Sequence, residues 1–371
     1  MFNANQFLSQ ELIYFWKGRV ALYALLRAMG VDENSEVVVP GFTCVVVPNA
    51  VIYTGATPKY ADIDSATFNV TLDSIKTVVT EKTKVIVIQS TFGLSPDLEG
   101  IVEFANARGI LLIDDCTHGL GGSYKGVPNG CTTDASFFST QWSKPVSTGL
   151  GGLALVQNEQ LLKKLIAEIR DYERASNSDD LILAVQRFVR PLADIPQLHY
   201  ALVSVYRWLT QKAGLSVGSS SGGEVSGTEM PTDFCRLAGA RQEKAIRNNI
   251  NHLSKDLEIR QESALFYDSY FDGMKDVVVP SRPSYATHGM LRYSILVNEN
   301  KSILSQAARE NIPVGDWFNS PLYPISGDMS LWHYSDGTCP VAEDVCKRIV
   351  NLPTTKRLSE KQLDKLFEGN L

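Results

Sequence analysis

A single lysine, Lys144, lies between two strand-like apolar runs in the segment FFSTQWSKPVSTGLGGLALV, residues 137–156. Hydroxyl residues, a proline and a glycine cluster surround it, and a solvated surface lysine needs none of these neighbours. A lysine amine can attack a carbonyl compound and hold it as a Schiff base. The segment therefore indicates covalent chemistry at Lys144, provided that the rest of the chain supplies partners for the bound compound.

Two adjacent carboxylates, Asp114 and Asp115, follow the apolar run GILLI and precede His118. The pair could bind a metal, act as acid and base, or hold a cationic ring nitrogen, and a solvated turn with a capping aspartate explains it equally well. His118 taken alone is more often a structural histidine with one satisfied polar contact.

A glycine-to-helix junction at KGRVALYALL completes the set of candidate features. The amide groups at a helix N-terminus bind phosphate, and a carboxylate about thirty residues upstream of the lysine could hold a ring nitrogen. Lysine, acid and helix N-terminus together fit pyridoxal 5′-phosphate (PLP), which binds its enzymes through these three kinds of group.

The elements that must position these residues alternate between helix and strand. RVALYALLRAMG reads as a helix, whereas EVVVP, KVIVIQS and GILLIDD read as buried strands. This alternation predicts an α/β fold with a mainly parallel central sheet sandwiched by helices. Ligands bind beyond the carboxyl ends of such strands, which is where the acidic pair falls.

Two domains are predicted. Residues 1–232 form a large PLP-binding domain with a helical insertion at about 170–228, and residues 233–371 form a long helix followed by a smaller C-terminal α/β domain. The insertion contains the amphipathic stretch Leu181–Gly214. For this stretch a dimer contact or a cover for the core is favoured over a helix lying on a membrane surface.

Composition excludes several classes of function. The 371-residue chain has 35 basic and 41 acidic residues, a net charge of −6 and no long basic run, so no nucleic-acid partner is expected. The six cysteines include no CxxC pair, which favours reduced thiols over disulfides or zinc. No export signal and no apolar run of membrane-spanning length is visible, so a cytoplasmic location is expected.

Four segments in order resemble the DegT/StrS-type (DegT/DnrJ/EryC/StrS) sugar aminotransferases, which are fold-type I PLP enzymes. The segments read GRVALYALLRAMG, VVVPGFTCVVVPNAVIYTGATPKYADID, LLIDDCTHGLG and FFSTQWSKPVSTGLGG. DFCRLAGARQEKAIRNN and CPVAEDVCKRIVNLPTT extend the resemblance over most of the chain outside roughly 170–228. It implies a homodimer that transfers an amino group, usually from glutamate, to a keto sugar on a nucleotide carrier, in amino-sugar, surface-polysaccharide or antibiotic biosynthesis.

The resemblance also implies roles for individual residues near the cofactor ring. Lys144 matches the lysine that forms the Schiff base and acts as the catalytic base. Asp115 matches the aspartate that pairs with the pyridine nitrogen, and His118 falls where a Gln or His lies near the phenolic oxygen. Cys44 stands where an aromatic side chain often stacks on the ring, and a thiol would make a weaker, apolar contact.

Three further residues are implied at the cofactor phosphate. Ser139 matches a phosphate-binding serine. Gly18 and Arg19 occupy a Gly-Thr junction whose backbone amides meet the phosphate, and Arg19 departs from the usual hydroxyl residue. The partner-subunit loop that usually adds an Asn has no clear counterpart in SVGSSSGGEVSGTEM, residues 216–230.

Other functions are weighed against this one. In related sugar dehydratases a histidine replaces the lysine, so Lys144 favours transamination. A PLP-binding regulatory protein without turnover and an aminotransferase for a non-nucleotide ketone, such as an aminocyclitol precursor, stay open as alternatives.

Overall fold

The structure is a computed structural model that describes residues 2–193 and 222–368. Its strands are β1 (Leu12–Phe15), β2 (Glu36–Pro40), β3 (Thr43–Cys44), β4 (Thr57–Ala61), β5 (Thr83–Gln89), β6 (Leu111–Asp115), β7 (Ser123–Tyr124), β8 (Val127–Pro128), β9 (Ala135–Ser139), β10 (Gly152–Val156), β11 (Glu173–Arg174), β12 (Arg236–Leu237), β13 (Val277–Val278), β14 (Ala286–Thr287), β15 (Arg292–Val297), β16 (Leu322–Tyr323) and β17 (Ile349–Pro353).

The α-helices of the described residues cover both faces of these strands or connect them. They are α1 (Ala4–Leu8), α2 (Gly18–Ala28), α3 (Val46–Ile52), α4 (Leu72–Val78), α5 (Glu99–Arg108), α6 (Glu159–Glu168), α7 (Asn177–Ala193), α8 (Gly222–Ser226), α9 (Ala240–Ile250), α10 (Leu253–Phe271), α11 (Asn300–Glu310), α12 (Pro340–Arg348) and α13 (Glu360–Phe367).

A nine-stranded sheet forms the centre of the larger part of the molecule. Its strand order is β11-β12-β1-β10-β9-β6-β5-β2-β4, and the run from β9 to β4 is parallel throughout. Helices cover these strands, which explains why β5 and β6 read as continuous apolar runs instead of alternating ones. The predicted α/β class with a mainly parallel central sheet is confirmed.

A smaller unit follows toward the C-terminus. The strands β13, β15 and β17 form an antiparallel sheet, and α11 and α13 pack together beside it. Strand β12 lies in the large sheet next to β1, although it falls just after residue 232. The exact division of the chain into 1–232 and 233–371 stays a prediction.

The long helix predicted from near Asp233 is instead two helices. The first, α9, begins only at Ala240, because the carboxylate of Asp180 accepts hydrogen bonds from the amides of Arg241 (2.8 Å) and Gln242 (2.9 Å) and so satisfies its first turn. A turn at 251–252 then separates α9 from α10. Local sequence gave no sign of this cap, which lies 61 residues away along the chain.

Part of the predicted insertion at 170–228 is described. Helix α7 buries Leu183 and exposes Phe188, and α8 follows at Gly222–Ser226. Of the amphipathic stretch Leu181–Gly214, residues 194–214 lie outside the described residues. Within the described ranges, no helix combines the length and the apolar character needed to cross a membrane.

Candidate active site

One cavity of about 780 Å³ opens at the carboxyl ends of the parallel strands. It is lined by all seven residues singled out in the sequence: Lys144, Asp115, His118, Ser139, Gly18, Arg19 and Cys44. They come from segments spread over more than a hundred positions, so the fold itself brings them together, in the place where parallel sheets bind ligands.

Lys144 lies in the loop between β9 and β10, which is closed by hydrogen bonds between Thr140 and Thr148. The hydroxyls of Thr140 and Thr148 are 2.7 Å apart, and the amide of Thr148 donates to the carbonyl of Thr140 at 2.8 Å. Gly149 and Gly151 adopt φ values of 90° and 148°, which side chains with a Cβ rarely reach. The hydroxyl and glycine residues that surround the lysine in sequence therefore build a fixed loop.

The surroundings of Lys144 favour its neutral amine. Its side chain is half-buried and lines the cavity, where protein atoms replace much of the surrounding water. This loss of water lowers the pKa of Lys144 to about 8, against the opposing effect of the Asp115 carboxylate, while Arg19 and Arg292 lower it further. Near neutral pH, far more of this amine is therefore neutral and able to react than is the case for an ordinary lysine.

The two adjacent aspartates point to opposite sides of β6, as successive residues of a strand must. Asp115 faces the cavity, and its Oδ1 accepts a hydrogen bond from the Thr117 amide at 2.9 Å. Asp114 faces away, and its Oδ2 accepts from the Gly130 amide at 2.9 Å. The pair therefore cannot hold one metal ion together, and Asp115 alone serves the cavity.

Burial controls the charge of the other groups at the cavity floor. Burial raises the pKa of Asp115. The hydrogen bonds from Thr117 and the positive charge of Lys144 lower this pKa and partly offset the effect of burial. Burial lowers the pKa of His118 well below the ordinary value. The Nδ1 of His118 accepts a hydrogen bond from the Phe92 amide (3.2 Å), which places the proton of the neutral ring on Nε2.

The N-terminus of α2 forms the opposite end of the cavity. Its N-cap, Lys17, makes no side-chain capping hydrogen bond, so the first amides of the helix remain available to an anion. A Cβ on Gly18 would lie 3.0 Å from the Cβ of Ser139 and 3.1 Å from the carbonyl oxygen of Phe138. The glycine is therefore needed for the helix to approach Ser139 this closely.

Arg19 is committed to an ion pair at this end. Its Nη1 lies 2.8 Å from Oε1 of Glu224 in α8, and the Nζ of Lys17 lies 3.7 Å from Oε2 of the same carboxylate. The Glu224 side chain is almost fully buried. This arrangement places two cations beside the helix N-terminus and balances them with one carboxylate.

Cys44 lies on a wall made by two distant segments. Strand β3 pairs in parallel with β16, so that Thr43 faces Leu322 and Cys44 faces Tyr323. The hydroxyl of Thr43 donates to Oε1 of Gln89 at 2.7 Å, which fixes this wall to β5. The half-buried thiol thus has an aromatic neighbour, Tyr323, beside it.

Several cavity residues were not found from the sequence. Arg292, Trp317, Tyr323 and Asn351 all line the cavity and all come from the C-terminal part of the chain. The Trp317 ring centroid lies 4.6 Å from that of His118. Arg292 opens the strand RYSILV, so a charged residue at the start of a predicted strand was the available signal.

The residues present fit PLP. A lysine with a lowered pKa, a buried carboxylate at a strand end and an uncapped helix N-terminus line one cavity. These groups match the carbonyl, the ring nitrogen and the phosphate of the cofactor. Close packing at Gly18 brings the N-terminus of α2 beside Ser139, so that the helix amides and the Ser139 hydroxyl border the same cavity.

Comparison with known proteins agrees with this chemistry. The model of the DegT/DnrJ/EryC1/StrS aminotransferase family matches residues 9–180 and 245–369. GDP-perosamine synthase of Escherichia coli O157:H7 is 28% identical over 98% of this chain and 87% of its own length. Spore coat polysaccharide biosynthesis protein SpsC of Bacillus subtilis (strain 168) is 34% identical over 94% of this chain and 82% of its own length.

The fold agrees as well. The crystal structure of S. venezuelae DesV in complex with a ketimine intermediate superposes with a TM-score of 0.76, covering 99% of this chain and 87% of that one at 17% identity. The match of the family model and the similarity to full-length relatives show that the chain belongs to the DegT/DnrJ/EryC1/StrS aminotransferase family and is a PLP-dependent aminotransferase.

Proposed function

We propose that this aminotransferase moves an amino group from glutamate to a keto sugar carried on a nucleotide. The observation that carries the proposal is the single cavity in which Lys144, Asp115 and the N-terminus of α2 meet. The similarity to GDP-perosamine synthase over nearly the whole chain supports a nucleotide-linked sugar as the acceptor. Amino-sugar or surface-polysaccharide synthesis is the corresponding role, which the similarity to SpsC also supports.

Each predicted residue has a role in this proposal. When bound, PLP supplies an electrophilic carbonyl and a ring that accepts electrons. Lys144 would hold it covalently and would move a proton at the substrate carbon as general base. Asp115 keeps a proton on the ring nitrogen because its carboxylate stabilises the ring cation. His118, whose neutral ring carries its proton on Nε2, would lie near the phenolic oxygen of the ring.

The remaining residues hold the phosphate and cover the ring. The amides at Gly18 and Arg19 and the hydroxyl of Ser139 bind the phosphate at the N-terminus of α2. The side chain of Arg19 adds positive charge there while it stays paired with Glu224. Cys44 makes an apolar contact with the ring face, next to Tyr323.

We further propose a homodimer that works in the cytoplasm. All six cysteines are free in the structure, which suits a reducing compartment. Sedimentation velocity measures the mass of the particle directly, and a concentration-independent monomer would contradict the dimer. The membrane-surface alternative for Leu181–Gly214 predicts liposome co-sedimentation that is lost when this segment is deleted.

Two alternatives make different predictions. An aminotransferase that takes an aminocyclitol precursor or another non-nucleotide ketone would use the same half-reaction with glutamate but ignore keto sugar nucleotides. A regulatory PLP-binding protein would take up PLP and convert none of it to pyridoxamine phosphate.

The test follows the cofactor in three proteins: wild type, Lys144→Ala and the surface control Lys163→Ala on α6. After PLP addition and borohydride reduction, mass spectrometry should find a covalent adduct on Lys144 in wild type and in the control, and none in Lys144→Ala. In separate samples that are not reduced, glutamate should convert the bound PLP to pyridoxamine phosphate, and keto sugar nucleotides should reverse the conversion. Wild-type protein that forms no adduct at Lys144 would refute the proposal.

A further inference from the structure

A second cavity, of about 490 Å³, adjoins the first on the other side of the Lys144 loop. Ser143, Lys144 and Arg292 line both cavities, so these residues form the partition between them. Helix α10 supplies Arg260 to the second cavity. Two arginines thus face one space directly beside the reactive amine.

Arg260 carries hydrogen-bonding capacity that the protein leaves unused. The residue is 3% exposed, and its Nη2 donates to the carbonyl oxygen of Pro145 at 3.1 Å. Its Nε and Nη1 are buried and have no hydrogen-bond partner among the described residues. A buried guanidinium with unpaired donors is costly, and an anion in the adjoining cavity would satisfy it.

The nearest carboxylate does not fill this role. Asp256 lines the same cavity and is close enough to raise the pKa of Arg260, but burial outweighs it and lowers that pKa to about 10. Within the described ranges no carboxylate lies at ion-pair distance from Arg260. Arg260 stays protonated at neutral pH and faces the cavity as a cation.

Arg292 is in a similar position at the partition. Its guanidinium makes one long hydrogen bond, from Nη1 to the carbonyl oxygen of Leu291 at 3.4 Å, and it too has no carboxylate at ion-pair distance in the described part of the chain. Its charge reaches both Lys144 and His118, whose pKa values it lowers. Arg19, by contrast, is paired with Glu224.

We propose that Arg292 and Arg260 form a subsite that binds the two carboxylates of a dicarboxylic amino donor. The inference rests on the proposed function and names its donor class from residues of this chain. The amine of the donor would react at the carbonyl carbon of the cofactor, beside Lys144. The α-carboxylate is attached to the same α-carbon as that amine, so we place it next to Arg292. The distal carboxylate extends into the second cavity and meets Arg260. Guanidinium groups bind carboxylates with two parallel hydrogen bonds, which fixes orientation as well as charge.

The test measures binding without turnover. Isothermal calorimetry on the PLP-loaded protein uses glutarate as a dicarboxylate that lacks an amine, butyrate as the matching monocarboxylate, and GDP and UDP as diphosphates. Arg292→Met should weaken glutarate and butyrate at least tenfold, because a charge-assisted pair is lost. Arg260→Met should weaken glutarate to a similar extent and leave butyrate unchanged. Arg309→Met, at an exposed arginine of α11, is the matched control.

Arg260 also supports the Lys144 loop through Pro145, so a second variant guards against misfolding. Arg260→Lys keeps a positive charge and a donor for the Pro145 carbonyl, but it loses the two parallel N–H groups with which a guanidinium binds a carboxylate. This variant should therefore bind glutarate better than Arg260→Met and worse than wild type. Circular dichroism and the covalent PLP adduct confirm that each variant is folded and loaded.

Three results would overturn the inference: unchanged glutarate affinity in both arginine variants, equal loss of butyrate and glutarate in Arg260→Met, or loss of GDP and UDP affinity with glutarate unaffected. The last result would assign the arginines to a diphosphate. Because glutarate binding needs no transamination, these results are separate from the adduct on Lys144 that tests the proposed function.

Discussion

The Nζ atom of Lys144 lies 5.0 Å from the centroid of the Trp317 indole ring. The same ring lies 4.6 Å, centroid to centroid, from His118. One aromatic side chain from the C-terminal part of the chain therefore covers both the amine and the imidazole contributed by the large sheet. Trp317 is thus a candidate for the aromatic wall that the sequence lacks at Cys44.

Replacing Trp317 tests this wall. Trp317→Ala should weaken PLP binding about tenfold, since an aromatic contact contributes on the order of 1 kcal/mol beyond the area that it buries. Trp317→Phe should keep most of the affinity because it keeps a ring. Titration of the visible absorbance of bound PLP gives both dissociation constants. Equal affinities for the alanine and phenylalanine variants would exclude an aromatic role.

The rate at which apoprotein takes up PLP should depend on pH through Lys144. Only the neutral amine attacks, and burial holds the pKa of Lys144 at about 8, so the rate should rise up to about pH 8 and level off above it. Asp115→Asn should move the midpoint to lower pH, because the carboxylate raises this pKa, and Arg292→Met should move it to higher pH. Stopped-flow absorbance across a pH series measures the midpoint, and a value near that of an ordinary lysine would contradict the structure.

Glu224→Gln should destabilise the apoprotein and strengthen phosphate binding. The change leaves Arg19 and Lys17 without their buried counter-charge, which costs about 3 kcal/mol. An added phosphate supplies negative charge at the same place, so inorganic phosphate should raise the urea midpoint of the variant more than that of wild type. The control is Glu159→Gln, where an exposed pair with Lys163 contributes about 0.5 kcal/mol or less. A phosphate effect no larger than in wild type would show that Arg19 does not face the anion.

Gly18→Ala should reduce both stability and PLP affinity. The new Cβ forces α2 away from Ser139 and the Phe138 carbonyl, and such overpacking costs about 1–3 kcal/mol. The displaced helix amides then lose their alignment with the phosphate. The matched control is Gly289→Ala, since a Cβ there meets only ordinary contacts of 3.7–3.8 Å. Thermal melts and PLP titrations of both variants separate the local clash from a general glycine effect.

Much of the site was predictable because its signals are local in sequence. Asp115 ends a strand, Gly18 begins a helix and Lys144 lies in the loop that follows β9. The fold class, the family and the cofactor that were inferred from local segments are confirmed. The resemblance to the family pointed to Asp115 and not Asp114, whereas the residues alone left the pair ambiguous until the structure showed which carboxylate faces the cavity.

The rest could not be read from short segments. Arg292 and Trp317 reach the cavity through the packing of the C-terminal unit on the large sheet, and no spacing rule links them to Lys144. The start of α9 depends on Asp180, a cap supplied from a distant helix. Arg19 was identified as a departure from the family pattern, but its buried partner Glu224 was not foreseen, because ion pairs between distant segments leave no periodic signal.

The pairing of β3 with β16 has a consequence for the order in which the molecule is built during synthesis. The amide of Thr43 donates to the carbonyl of Pro321 at 2.9 Å, and that of Val45 to Tyr323 at 2.8 Å. These partners lie about 280 positions apart in the sequence, so β3 has no partner strand until that much more chain has been synthesised. A chain released before Tyr323 could form much of the parallel sheet and still present Cys44 and Thr43 as an unpaired edge. Completion of this wall of the cavity therefore requires synthesis to have passed Tyr323.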